Sequence, residues 1–326
     1  MAPPPASIAQ MTEQFTASPL SALPQAARLG VWQTTVANEA ALSGIGLHSG
    51  RQVNIRLLPA PANTGIVFLR KDIENQSEAL IPALCASVCE VTLSSKIGNR
   101  FGHVVGTVEH LMAAFAGLRI DNAIVEIDAE EVPIMDGSAK PFVELIKRAE
   151  IRELGVSRRV VRVTKPVRVE NGEAYCEVLP DNERVFEAEI DFECGAIGRQ
   201  SYSLTLDKGD FDTDVVNART FCMAKQVEAM HKAGLALGGS MDNAIVVDGD
   251  KVLNEEGLRS ADEFVQHKLL DAIGDLYLMG MPLIGRYRGY KSGHALHNQL
   301  LNALFIDENC FELLDLASDD AVLAAE

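Results

Sequence analysis

His267, Asp271 and Asp275 follow one another at four-residue intervals in the segment from Phe264 to Tyr277, FVQHKLLDAIGDLY. Its large apolar residues recur at helical spacing. At roughly 100° per residue the three polar side chains fall within an arc of about 80°, with Lys268 just beyond it. Leu269, Leu270, Ile273, Leu276 and Tyr277 take the opposite side. A helix with these faces can offer an imidazole and a carboxylate one turn apart to the same ion, so metal ligation is geometrically natural. The same pattern also describes a solvated polar face on which a His and Asp pair contributes roughly a few tenths of a kcal/mol.

A second segment, Thr107 to Leu118 (TVEHLMAAFAGL), has the same periodicity and carries His110. Laid over the first at constant offset, Val108, His110 and Gly117 fall opposite Val265, His267 and Gly274, and an apolar, strand-like run follows each. Further on, Gly137 and Ala139 fall opposite Gly293 and Ala295 after a one-residue change of offset, each at the head of another helical pattern. The order reads as an internal duplication, against the alternative that two amphipathic helices resemble each other by chance. Duplicated helices packed together would bring His110 and His267 to one interface. Two His and one Asp leave a fourth position open, the arrangement of a catalytic rather than a structural zinc. Glu109, beside His110, is in place to act as a base, whereas its counterpart Gln266 cannot. His294 has Ser138 as its counterpart. Unequal polar residues at matching positions point to one asymmetric site between the halves.

The elements that must position these residues are strands with a few helices. β-Branched runs at Val53 to Leu58, Ile66 to Leu69 and Ile124 to Ile127 are separated by Gly, Pro and Asn. The expected class is α+β, two similar two-layer helix-on-sheet sandwich domains from the duplication with the active site between them. The division expected is a disordered extension over 1–28, a first domain over 29–157 and a second over 158–326, the boundary lying where Gly155, Ser157 and two Arg interrupt a helix.

The ordered motifs TVEHLMAAFAGLRIDN (107–122), PIMDGSAKPFV (133–143), ARTF (218–221), LGGSMDNAIV (237–246), HKLLDAIGDL (267–276) and YKSGHALHN (290–298) resemble those of the UDP-3-O-acyl-N-acetylglucosamine deacetylase family. GIGLHSG (44–50) and LLPAPANTGI (57–66) extend the likeness towards the N-terminus, so that it runs from Val31 to the last helix. The resemblance implies zinc-dependent removal of an N-acetyl group from an acylated UDP-sugar, the committed step of lipid A biosynthesis. It implies a zinc ion held by His110, His267 and Asp271, with Glu109 as general base. His294 would be cationic, stabilising the oxyanion and protonating the departing amine, with Asp275 orienting it. Thr220 would bond the tetrahedral intermediate, and Phe221 and Lys268 would contact substrate. In that family an insert matching residues 219–247 forms a passage for the acyl chain, which the small residues Ala236, Gly238, Gly239 and Ala244 would leave open. Taken without the resemblance, the same stretch reads as a helix and strand packing on the core. Other readings of the whole are a zinc amidohydrolase acting on a different acylated sugar, or a non-catalytic module binding a nucleotide sugar or lipid.

Composition narrows the setting. With 46 acidic and 29 basic residues the formal charge is −17, which opposes non-specific attraction to nucleic acid or to anionic lipid surfaces. Six cysteines without CxxC pairs fit a reducing cytoplasm. The first 28 residues, rich in Ala, Pro, Ser and Gln, lack the apolar core of a secretory leader. A cytoplasmic enzyme working next to the inner membrane is the expectation. The apolar tail AVLAA (321–325) reads either as a frayed end or as a handle for a regulatory protease. Gly44, Gly46 and Gly50 do not make a dinucleotide fingerprint, since a strand pattern follows them. His48 reads as a turn or core histidine or as part of the substrate cleft; His103, His231 and His297 read as surface or structural. Cys85 and Cys89 read as small hydrophobes.

Overall fold

A computed structural model of the chain describes residues 30–208, 211 and 215–317. The expected extension over 1–28 and the tail at 321–325 lie outside the described residues. Alternation builds the first sheet: in the strand Gln52–Pro59, Val53, Ile55 and Leu57 are buried while Gln52, Asn54 and Arg56 face outward. Its five strands run in the order Ala40–Ile45, Gln52–Pro59, Ala123–Ile127, Ile66–Arg70 and Leu80–Pro82. Ala123–Ile127 is antiparallel to Gln52–Pro59 and parallel to Ile66–Arg70.

Helix α1 (Glu109–Leu118) precedes the strand Ala123–Ile127, and helix α2 (Lys140–Ala149) follows it. The periodic pattern begins at Thr107, but the helix begins two residues later because Thr107 takes a left-handed φ of 54°. Pro141 sits in the first turn of α2, where its missing N–H is harmless. That helix ends at Ala149, before Gly155: Glu150 at φ 57° stops it, and Ile151–Ser157 is a strand antiparallel to Trp32–Val36.

Helix α3 (Ala224–Lys232) lies beside a small sheet of Phe221–Met223, Ile245–Asp248 and Lys251–Val252. Helix α4 (Glu263–Tyr277) precedes the strand Leu283–Tyr290, and helix α5 (His294–Ile306) follows it. Leu283–Tyr290 is central to a seven-stranded sheet, pairing antiparallel with Ala174–Leu179 and parallel with Arg184–Asp191 and Arg159–Val163. The molecule is therefore mixed α and β. One continuous apolar core takes in Phe68 and Phe115 from the N-terminal part and Phe264 and Tyr287 from the C-terminal part. Buried Arg158 bonds Asp121 and the carbonyls of Gly30 and Arg119, which joins the two parts where the chain passes from one to the other. No helix among the described residues is long and apolar enough to cross a membrane.

Helices α1 and α4 cross at Gly274, where a Cβ would lie 1.9 Å from the Glu109 carbonyl oxygen. Only the hydrogen of glycine permits this approach. Every residue of α4 except Lys268 is buried, so its His and Asp face is not a solvated one.

Candidate active site

The crossing places the first turn of α1 against the middle of α4. Asp271 Oδ1 lies 3.3 Å from His267 Nε2, one turn away on the same helix, and 3.6 Å from His110 Nε2 across the interface. The two imidazoles meet edge to face at a centroid distance of 5.0 Å. Ligand atoms of all three residues lie within 4.8 Å of one another, and all three are buried. His267 Nδ1 is 3.0 Å from the Ala218 carbonyl oxygen. A carbonyl only accepts, so the ring proton sits on Nδ1 and Nε2 presents its lone pair to the cluster. Burial lowers the His267 pKa to about 3, which keeps that lone pair free. Burial opposes ionisation of Asp271 too, but His267, Lys268 and His110 outweigh it and hold the carboxyl well below its usual range. Lys268 Nζ bonds Asp271 Oδ2 at 2.9 Å, leaving Oδ1 to the imidazoles. Two imidazole nitrogens and one carboxylate oxygen, converging and buried, fit a divalent ion of the zinc type.

The loop that supplies Ala218 is fixed by a buried ion pair. Arg219 donates its backbone N–H and its guanidinium to Glu263, which is wholly buried in the first turn of α4. Thr220 follows, its N–H bonded to the Gly137 carbonyl at 2.8 Å. The Phe221 ring packs edge-on against Phe264 and lies 5.4 Å from Lys268 Nζ.

Glu109 is 3% exposed. Its Oε2 accepts the Ser95 N–H at 3.0 Å, while Oε1 stands 3.9 Å from His294 Nε2. Burial, the largest influence, outweighs His294 and His110 and raises the carboxyl to about 7. For His294 the balance runs the other way. Burial would lower its pKa, but Asp275, bonded to Nδ1 at 2.7 Å, together with Glu109 and Asp271 raises it to about 10. A carboxyl raised to about 7 beside an imidazole raised to about 10 is an arrangement able to serve as general base and general acid.

These groups line a cavity of about 430 Å³ that also takes in Thr220, Phe221, Lys268 and Lys291. An adjoining cavity of about 480 Å³ shares Leu47, Leu93, Thr220 and Phe221 with it and is otherwise largely apolar, walled by Val227, Met230, Ala236, Gly239, Ala244 and Val246. His48 lines this second cavity, and its Nδ1 is 3.4 Å from the Ala236 N–H. Gly238 instead packs its α-carbon face on the Gly46 carbonyl. Gln266 turns away to bond Ser260. No helix follows Gly44 to Gly50; the strand Gln52–Pro59 does. Cys85 is buried and Cys89 exposed.

Two residues at the site carried no sequence signal strong enough to single them out. Ser95 bonds both Glu109 and, through Oγ at 2.5 Å, Asp275 Oδ1; it comes from a loop with no periodicity to mark it. His297, expected at the surface or in a structural place, is buried, with Nδ1 2.7 Å from Asp275 Oδ2. Its position one turn after His294 was the available clue.

A two-imidazole, one-carboxylate cradle with an adjacent base and acid has the composition of a metal-dependent amide hydrolase. Comparison with known proteins makes the assignment particular. The family model described as UDP-3-O-acyl N-acetylglycosamine deacetylase matches residues 33–306. A UDP-3-O-acyl-N-acetylglucosamine deacetylase of Acidithiobacillus ferrooxidans is 50% identical over 288 residues, covering 87% of this chain and 93% of that protein. Proteins of the same name from Pseudomonas entomophila (49% identical, 86% of this chain, 93% of the relative) and Vibrio parahaemolyticus (48%, 86% and 92%) are similar to it over the same extent. The chain belongs to the UDP-3-O-acyl N-acetylglycosamine deacetylase family and is an enzyme.

Proposed function

We propose that the chain hydrolyses the 2-acetamido group of UDP-3-O-acyl-N-acetylglucosamine, giving acetate and the free amine in the committed step of lipid A biosynthesis. Family membership supplies the substrate, and one observation carries the chemistry: Glu109 and His294 stand 3.9 Å apart beside the cradle of His110, His267 and Asp271. Zinc held by those three residues would polarise the amide carbonyl and acidify water. Glu109 takes the proton of the attacking water at Oε1, the oxygen that Ser95 does not occupy. A C–O bond forms at the acetyl carbon as the carbonyl oxygen takes up negative charge. His294, charged and held at Nδ1 by Asp275, faces that charge with its Nε2 proton, and the Thr220 hydroxyl donates to it as well. As the C–N bond breaks, His294 gives its proton to the departing nitrogen. Phe221 and Lys268 contact the sugar nucleotide, and Ala236, Gly239 and Ala244 wall the space for the 3-O-acyl chain.

The finer reading of the fold is an ancient duplication, with halves at 29–157 and 158–326 each forming a two-layer sandwich. It is supported by the repeated order helix, strand, helix in α1 to α2 and in α4 to α5. The setting we propose is the cytoplasm, with peripheral contact at the inner membrane where an acylated product is used. The tail at 321–325 would serve as a handle for a regulatory protease, so deleting 321–326 should lengthen cellular half-life and leave kcat unchanged; an equal half-life dismisses this role. The test of the activity is metal analysis of the purified protein coupled to acetate release from the acylated nucleotide sugar. Stoichiometric zinc with acetate release is expected, and a zinc-loaded protein that releases none overturns the reading.

A further inference from the structure

Resting on that reading, we propose that His297 is a positioning residue for the reaction, acting through Asp275 on His294. It lies one turn beyond His294 on the same face of α5 and is 1% exposed. Both imidazoles direct Nδ1 at one atom, Asp275 Oδ2, each at 2.7 Å. The other carboxylate oxygen, Oδ1, takes the Ser95 hydroxyl at 2.5 Å. Asp275 is thus held from three sides and cannot rotate without giving up a bond.

The direction of each proton follows from chemistry. Although burial alone would raise its pKa, His294 and His297 hold the Asp275 carboxyl below the usual range, so it accepts and the His297 proton is on Nδ1. On the far side, His297 Nε2 lies 2.9 Å from the Tyr287 hydroxyl, which in turn is 2.9 Å from Ser292 Oγ. Burial pushes Tyr287 well above its ordinary range, so it keeps its proton and donates it to Nε2. With the His297 proton on Nδ1, donors run in one direction, Ser292 to Tyr287 to His297 to Asp275. Among the described residues, the hydrogen bonds of this relay end on Asp275 and not on the side chains of His110, His267 or Asp271.

The consequence for His294 is twofold. Its ring is aimed by a carboxylate that cannot turn, and part of that carboxylate's charge is spent on His297 rather than on the His294 imidazolium. The titratable and charged groups around His294 are Glu109 from α1, Asp271, Asp275 and Lys268 from α4, His297 on its own helix, and Lys291 just before it on the cavity wall. Without His297, Asp275 loses a donor and becomes the better partner for a cation, so His294 holds its proton more tightly and releases it less readily to the leaving amine.

The experiment compares wild type, His297→Leu and His297→Asn, each loaded with zinc and checked for Tm. The Asn side-chain nitrogen stands where Nδ1 stood and can still donate to Asp275. His297→Leu should lose about 10- to 100-fold in kcat, the usual size of an outer-shell orientation loss, with KM unchanged and the basic limb of the pH profile moved to higher pH. His297→Asn should recover kcat to within a few-fold and return the limb to its wild-type place. A purely structural histidine would lower Tm in both variants and leave the limb where it was, which overturns the proposal. So does an Asn variant as impaired in kcat as the Leu variant. Should His297→Leu fail to fold, nitrogen-15 spectra of wild type decide: His297 must carry its proton on Nδ1 and accept at Nε2, and a ring protonated on Nε2 overturns it. Acetate release by wild type with an indifferent His297→Leu overturns the positioning role alone, whereas a zinc-loaded wild type that releases no acetate overturns the deacetylase reading as well.

Discussion

Glu109 is asked to carry a charge in a site that burial makes hostile to charge, and the role of base proposed for it rests on that conflict. The first turn of a helix favours an anion, and His294 and His110 favour it further, yet desolvation prevails and leaves the pKa at about 7. His294 meets the opposite outcome at about 10 because three carboxylates surround it. The reaction proposed needs Glu109 ionised and His294 protonated. kcat/KM should therefore rise as pH climbs through about 7 and fall as it passes about 10. Replacing His294 with Ala should remove the basic limb, and an unaltered limb would exclude His294 as its source. Glu109→Gln keeps the size and the Ser95 contact but cannot take a proton. It should keep its zinc and lose about 10²- to 10⁴-fold in kcat, and activity within a few-fold of wild type would remove Glu109 as the base.

The crossing of α1 and α4 is what turns side chains into a site. Gly274 allows α4 to lie against the Glu109 carbonyl, and this closeness sets the distance between His110 and His267. A methyl group there has no room, so Gly274→Ala should push the helices apart. Overpacking of this kind costs about 1 to 3 kcal/mol. Because the displaced helix carries two of the three cradle residues, zinc affinity should fall along with Tm. A variant with lowered Tm and unchanged zinc affinity would show that the cradle tolerates the shift. Gly117, its counterpart on α1, is also closely packed, with a Cβ direction only 2.2 Å from the Phe211 ring. Both helices thus use glycine for approach, one to its partner helix and one to an aromatic ring.

At the scale of the whole molecule, the polar and apolar cavities join around Thr220 and Phe221, so reacting group and acyl chain would lie in continuous space. Ala236 borders the apolar one and already adopts a left-handed φ of 54° with a Cβ in place. Ala236→Leu therefore adds bulk with little further backbone penalty. Each methylene displaced into water loses about 0.8 kcal/mol, and remote binding energy also positions the reacting amide. The variant should lower kcat/KM for the acylated substrate while leaving a substrate without the 3-O-acyl chain nearly unaffected. Equal effects on both substrates would remove this wall from the acyl site. In a chain of charge −17, Lys268, paired with Asp271, and Lys291, near Glu173 and Asp191, are local cations on the polar cavity.

Sequence by itself determined the helices that carry chemistry, since the spacing of His267, Asp271 and Asp275 is a local property of a 3.6-residue repeat. It also determined the family likeness, through motifs in a fixed order. It left open whether that polar face meets water, and it misjudged where α1 begins and α2 ends, because Thr107 and Glu150 take left-handed conformations that no composition signal marks. Only the tertiary structure decided that the face is buried, that Ser95 and His297 join Asp275, and that burial prevails at Glu109 while neighbouring carboxylates prevail at His294. The reason is physical: periodicity is written between neighbours along the chain, whereas desolvation and charge proximity depend on which distant segments fold against one another.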